Sequence, residues 1–351
     1  MTDTPGRRLA RALQESTELA ERTAAGLGPI EAERALFFVQ SAYNLAIEMC
    51  FQKGDPGAPR LTNWELPWRK FGGDNPTTTY LSAPVAASFR YRLRGHVRGA
   101  VYAGVQVYTR GPGYNAPSAN ISDVQLVDAD GEIDLLIGGE DPGDGVAWLP
   151  LMADDYLVML RLYRLHPTVE EPEVRIDRID DATSVPLSVT ERADRAEAFF
   201  RDEIASAVSV TEVLRESGVN AYPPADAEVH KPRYTGALFP TLDNVYDGFF
   251  VDLEPGQSIR LHGKAPSARF WSLVFYDRWF NTPDFSVHRC YLTGNDVVTE
   301  PDGSYEVVLG PDHCDHPNWI DTAGLRQGIL ALRCLLPEVR RLPDATVVDA
   351  R

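Results

Sequence analysis

The stretch "FRYRLRGHVRGAVYAGVQVY" (residues 89–108) alternates apolar and polar side chains, then breaks at glycines and resumes with aromatic and β-branched residues. That is the pattern of two short strands joined by a turn. It recurs farther on as "SIRLHGKAPSARFWSLVFY" (258–276), with Gly95 on Gly263 and Tyr108 on Tyr276. The match extends outward. Asp130-Gly131 falls on Asp302-Gly303, Trp148 on Trp319, Arg161 on Arg333, and Asp74-Asn75 precedes one copy as Asp243-Asn244 precedes the other. A spacing that stays between 168 and 172 residues over so many turn and aromatic positions indicates an internal duplication. Each copy offers six to eight short antiparallel strands, which bury one face of each sheet most simply as a β-sandwich or jelly roll.

The rest of the chain frames these two units. "IEAERALFFVQSAYNLAIEMCF" (30–51) carries a broad apolar stripe, and Gly26, Gly28 and Pro29 separate it from an earlier helix. Residues 53–79 are rich in Gly, Pro and Asn and read as a long loop. A helix from about Ser188 to Ser217 opens on a Ser188-x-x-Glu191 capping box, between the linkers 166–186 and 220–232. The fold class expected is all-β with added helices. It comprises an N-terminal helical segment (1–52), a first β-sandwich or jelly-roll-like unit (53–167), a linker and helix (168–232), and a second unit (233–351).

With a net charge of −17, the chain repels phosphate backbones and anionic membranes, so neither nucleic acid nor a membrane is expected as partner. No apolar run approaches a membrane span of about 20 residues. The charged start "MTDTPGRRLARALQESTELAERT" and four scattered cysteines (Cys50, Cys290, Cys314, Cys334) fit a reduced, cytoplasmic protein. There is no G-x-G-x-x-G after a strand, no Walker A motif and no G-x-S-x-G elbow. Hence neither a nucleotide cofactor nor a standard α/β-hydrolase is expected.

The second unit carries "FWSLVFYD" (270–277), "DGSYEVVLG" (302–310), "NWI" (318–320) and "ALRCLLP" (331–337). In this order they resemble the bacterial family known as domain of unknown function 1214. "DNPTTTYLSAP" (74–84) is similar to the segment that precedes such domains in longer members, except that Thr77 stands where an acid is usual. The resemblance implies tandem β units and no particular activity, since fold alone does not supply function.

Three constellations carry candidate chemistry. "HCDHPNW" (313–319) holds His313 and His316, but flanking prolines disfavour a chelating helical turn, and the matching loop of the first unit has no histidine. A surface loop fits better than a metal site, which would need a further ligand such as His288. The loop "NWELPWRKFGGDNPTTTY" (63–80) mixes rigid aromatics with polar groups, as small-molecule pockets do; Trp68, Arg69 and Asn75 are binding candidates there, and Asp74 and Tyr80 catalytic ones. "FYDRWFNTPDF" (275–285) contributes Tyr276 and Asp277 as catalytic candidates, with Arg278 and Trp279 for binding. His96 and His262, beside the matched glycines, read as solvated turn residues.

The function expected is a hydrolase or lyase without a redox cofactor, acting on a small apolar or hydroxylated molecule at a cleft between the units. The alternative is a non-catalytic small-molecule-binding or structural protein. A homo-oligomer is compatible with either.

Overall fold

The computed structural model of the protein describes residues 3–111, 114–168, 170–223 and 239–349. Helix α1 (Pro5–Ala24) turns at Gly26 and Gly28 into α2 (Pro29–Ala46), which runs on into a π turn at Ile47–Gln52. Pro29 sits in the first turn of α2, where its missing N–H leaves no helical bond unmade.

The first unit contains β1 (Thr62–Asn63), β2 (Thr78–Pro84), β3 (Tyr91–His96), β4 (Ala100–Gly111), β5 (Tyr114–Ser122), the short helix α3 (Asp123–Leu126), β6 (Glu132–Ile137), β7 (Trp148–Leu149), β8 (Asp155–Arg164) and β9 (Glu173–Arg178). They form a larger sheet, β1-β2-β8-β4-β5, and a smaller one, β7-β6-β3-β9. After the linking helix α4 (Val189–Ser217) come β10 (Asn244–Asp252), β11 (Gln257–Lys264), β12 (Ser267–Tyr276), β13 (Tyr291–Thr293), β14 (Ser304–Gly310), β15 (Trp319–Asp321), β16 (Gln327–Val339) and β17 (Asp344–Asp349). These again make two sheets, β10-β16-β12-β13 and β15-β14-β11-β17.

The two strand orders coincide once β1 is set aside, and so does the register. Gly95 pairs with Ile133 as Gly263 pairs with Tyr305. Trp148 lies beside Leu136 as Trp319 lies beside Val308. Arg161 pairs with Tyr80 as Arg333 pairs with Tyr246. The duplication read from the turns is therefore a duplication of the ladder. One match shifts: Thr78 pairs with Tyr163 and Asn244 with Leu335, so Asn244 corresponds to Thr78 rather than Asn75.

Two further expectations change. Residues 166–186 are not all linker, because β9 lies within them and pairs with β3 at the edge of the smaller sheet. Strand "EVRIDR" buries only Ile176, so its apolar signal is weak. The ladders are also not wholly antiparallel, since β6–β7 and β14–β15 run parallel. Residues 224–232 of the second expected linker and 233–238 of the second unit lie outside the described residues.

Alternation along the strands explains the layers. Leu160 and Leu162 of β8 face the core of the first sandwich, and Leu330, Leu332 and Cys334 of β16 face that of the second. Their neighbours Leu157 and Met159, or Ile329 and Ala331, point to the opposite faces, which are buried too. Helices cover those faces. The first half of α4 packs with α1 and α2 over the first unit, and Val210 and Leu214 reach the second. Tyr102, Tyr163, Phe270 and Leu335 close a direct contact between units. Among the described residues no helix is long and apolar enough to cross a membrane.

Candidate functional site

A cavity of about 120 Å³ lies between the outer faces of the sheets β1-β2-β8-β4-β5 and β10-β16-β12-β13, beneath α4. The strand register delivers corresponding residues to it from both units: Tyr80 and Tyr246, Arg161 and Arg333, Met159 and Ala331. Trp64, Phe71, Phe239 and Phe280 add apolar wall, and Glu65 adds a carboxyl group.

The arginines dominate the polar lining. Arg161 and Arg333 are only 4% and 7% exposed. Arg161 donates from Nη2 to the Tyr108 hydroxyl (2.7 Å) and to the Phe239 carbonyl (2.6 Å). Arg333 donates from Nη1 to the Tyr276 hydroxyl (2.9 Å) and to the Gly73 carbonyl, and from Nη2 to the Tyr80 hydroxyl (3.1 Å). Each arginine thus bonds a carbonyl in the loop leading into the other unit's first core strand. Arg161 also lies 5.6 Å from the ring centre of Tyr80, its ladder partner, and Arg333 lies 5.1 Å from that of Tyr246. The site has an approximate two-fold arrangement built into one chain.

Among the described residues neither guanidinium forms a salt bridge with a carboxylate, and Arg333 Nε has no partner at all. Desolvating an ion costs several kcal/mol even after relaxation. Cation–π contacts of about 0.5–2 kcal/mol and charge-assisted hydrogen bonds of about 1.5–3 kcal/mol offset much of that. They leave the charge itself uncancelled, so the cavity is electropositive in an otherwise acidic protein.

Three other groups on the lining, Tyr80, Tyr276 and Glu65, are pushed toward their neutral forms. Burial pushes the Tyr80 and Tyr276 phenols up, although Arg333 opposes the shift. Burial, reinforced by Asp74, pushes the Glu65 carboxyl well above the usual carboxylate range. Asp247 also lines the cavity but is tied to Arg340 (2.8 Å).

Of the candidates read from the sequence, the structure brings Tyr80 and Tyr276 together on the cavity. Asp74 and Asp277 are fully buried and lie off its lining. Asp74 accepts from the Thr282 amide (2.8 Å) and sits 3.5 Å from Lys70 Nζ, which joins the two units. Asp277 holds Arg34 (2.7 Å) and accepts from the amides of Trp279 (2.9 Å) and Asn281 (3.0 Å). With their oxygens committed this way, both carboxylates do structural work. Asn75 closes its own turn through Thr77, Arg278 bonds Gln327 (2.6 Å), and Trp279 stacks on Phe38. Arg69 pairs with Glu48, and Trp68 is 64% exposed. His313 and His316 turn to different acids, Asp315 and Glu306, while His288 pairs with Asp321. Among the described residues no cluster of three or more His, Cys, Asp or Glu is arranged to hold a metal ion.

The polar residues that sequence reasoning left out of the site are Arg161, Arg333, Tyr246 and Asp247, while Glu65 was noted only as part of the aromatic-rich loop 63–80. A signal for the arginines was present, since each interrupts an apolar strand at the same place in its repeat, in "YLVMLRLYRL" and "ILALRCLL".

No curated protein matches the chain. Among solved structures, an uncharacterized protein from Burkholderia cenocepacia superposes with a TM-score of 0.87 at 21% identity, over 99% of this chain and 97% of that one. The VPA0106 protein from Vibrio parahaemolyticus gives a TM-score of 0.49 at 12% identity, over 89% and 97%. The first shows that the whole two-unit fold recurs in another protein. The family model described as protein of unknown function (DUF1214) matches residues 101–167 and 242–339, taking in β16 with Arg333 and β8 with Arg161. The chain is similar to the DUF1214 family, with the family's pattern spread over both of its β units.

Proposed function

We propose that the protein binds one small, largely apolar molecule in the cavity between its two β units. The observation that carries this reading is the cavity's composition: aromatic and aliphatic walls on rigid strands, with a few inward polar groups from both units. Ligand sites have this make-up. Its volume of about 120 Å³ is close to that of an engineered cavity of about 150 Å³ that takes up benzene, so the ligand is of single-ring size. The four cysteines are all free, in keeping with a reducing, cytoplasmic setting as part of the same proposal.

The test is calorimetric titration with a panel of single-ring compounds (phenol, benzyl alcohol, benzamide, benzoate) against the protein and against Ala331→Phe, which fills the cavity from β16. Saturable one-to-one binding of at least one compound is expected, weakened at least tenfold by the substitution. Equal binding to a folded Ala331→Phe variant, or none from the panel, overturns the reading.

A second reading, catalysis of the hydrolase or lyase type without a redox cofactor, is favoured by one group. Glu65 faces the cavity with a carboxyl that burial pushes toward the protonated form, the form a general acid uses. Under that reading Glu65→Gln abolishes turnover of an identified substrate while leaving its binding within a few-fold. Unchanged turnover would remove Glu65 from the chemistry.

A further inference from the structure

We propose that the molecule bound in this cavity is a monoanion, a carboxylate on a single-ring-sized apolar body, with its two oxygens shared between Arg161 and Arg333. The inference rests on the reading of the cavity as a ligand site and names the class of ligand.

Charge is the first argument. Two permanently protonated groups face one small cavity, and among the described residues no carboxylate is paired with either. Buried charges are ordinarily paired, so a site with two uncancelled guanidiniums is built to receive an anion. Neither acid on the wall does that work. Asp247 is engaged by Arg340, and Glu65 accepts the Asn75 amide (3.2 Å).

Unspent donors are the second. Among the described residues Arg161 donates only through Nη2, and Arg333 Nη2, which carries two N–H groups, makes one bond, to the Tyr80 hydroxyl. A guanidinium presents five N–H donors in a planar fork suited to carboxylate oxygens. The third argument is placement. Both guanidiniums meet at Tyr80, Arg161 against its ring and Arg333 on its hydroxyl, so their charges converge on one locus. Two equivalent arginines related by the repeat suit a group with two equivalent oxygens. A body of single-ring size then fills the aromatic part of the wall.

The experiment titrates benzoate, its neutral near-isostere benzamide, and inorganic phosphate into the full chain, then into Arg161→Met and Arg333→Met. Benzoate is expected to bind at least about tenfold more tightly than benzamide, because charge-assisted bonds carry the difference. In either arginine variant that preference shrinks to within about threefold. Benzamide binding as tightly as benzoate to the unmodified protein overturns the inference and leaves the cavity reading standing. Phosphate binding as tightly as benzoate also overturns it, because the apolar body then contributes nothing. If none of the three binds, the cavity reading falls with it. The unmodified protein alone decides these outcomes, so a variant that fails to fold does not block the test.

Discussion

Gly95 shows how one residue enforces the sandwich. It sits on β3 with φ +150°, and a Cβ added there would lie 2.0 Å from the Glu173 carbonyl oxygen of β9. Only glycine allows both the backbone angle and the approach of the edge strand. Gly263 occupies the corresponding place, but its added Cβ would meet Pro343 at 3.0 Å, with no positive φ. Gly95→Ala is therefore expected to cost about 2 kcal/mol or more, by analogy with overpacked cores, and Gly263→Ala about 1 kcal/mol or less. Urea denaturation of the two variants checks the order. The matched glycines were legible as a repeat, but their unequal need for glycine was not, because it depends on how closely β9 and the segment around Pro343 pass.

At the scale of elements, α4 links both units. Its start is set locally: Ser188 Oγ accepts the Glu191 amide (3.2 Å), and Glu191 accepts the Ser188 amide (2.8 Å). Ser188→Ala is expected to lower stability by about 1 kcal/mol, read from denaturant midpoints. Its far end is set by tertiary contact, where Val210 and Leu214 pack on Phe250 and Ile329. The helix, its cap and the long core strands were readable because a 3.6-residue or two-residue period is a local property. Strand β9 escaped because an edge strand at the rim of a sheet needs few apolar residues.

Across the whole molecule, Glu203 ties α4 to the loop that supports the cavity. Its fully buried carboxyl accepts the Gly72 amide (3.2 Å), and burial lifts its pKa from 4.5 to about 8. Between those values the unfolded chain releases the proton while the folded one keeps it. Its contribution to stability is thus fully present below pH 4.5, lost as pH rises to about 8, and constant beyond. At about 1.4 kcal/mol per pH unit this amounts to a few kcal/mol. Burial, with Asp277 adding to it, lifts Glu31 to about 7, which acts in the same direction. Glu203→Gln should unfold like the parent at pH 4 and resist denaturant better at pH 8. A parent curve no lower at pH 8 than at pH 4, or no gain from the substitution, contradicts this.

What the sequence by itself determined is the duplicated β framework, the helices with their starts, and the family resemblance. These depend on periodicity, turn chemistry and spacing, all written along the chain. It also marked two arginines at one repeat position without saying what they face. Only the tertiary structure decided that Tyr80, Tyr276 and both arginines converge on one cavity, while Asp74 and Asp277, equally promising as letters, are consumed by amides and cations. Which polar group is left facing a cavity is settled by what lies across from it, and those neighbours come from residues 64–80, 159–161, 210–223, 239–248, 276–280 and 329–333, brought together only by folding.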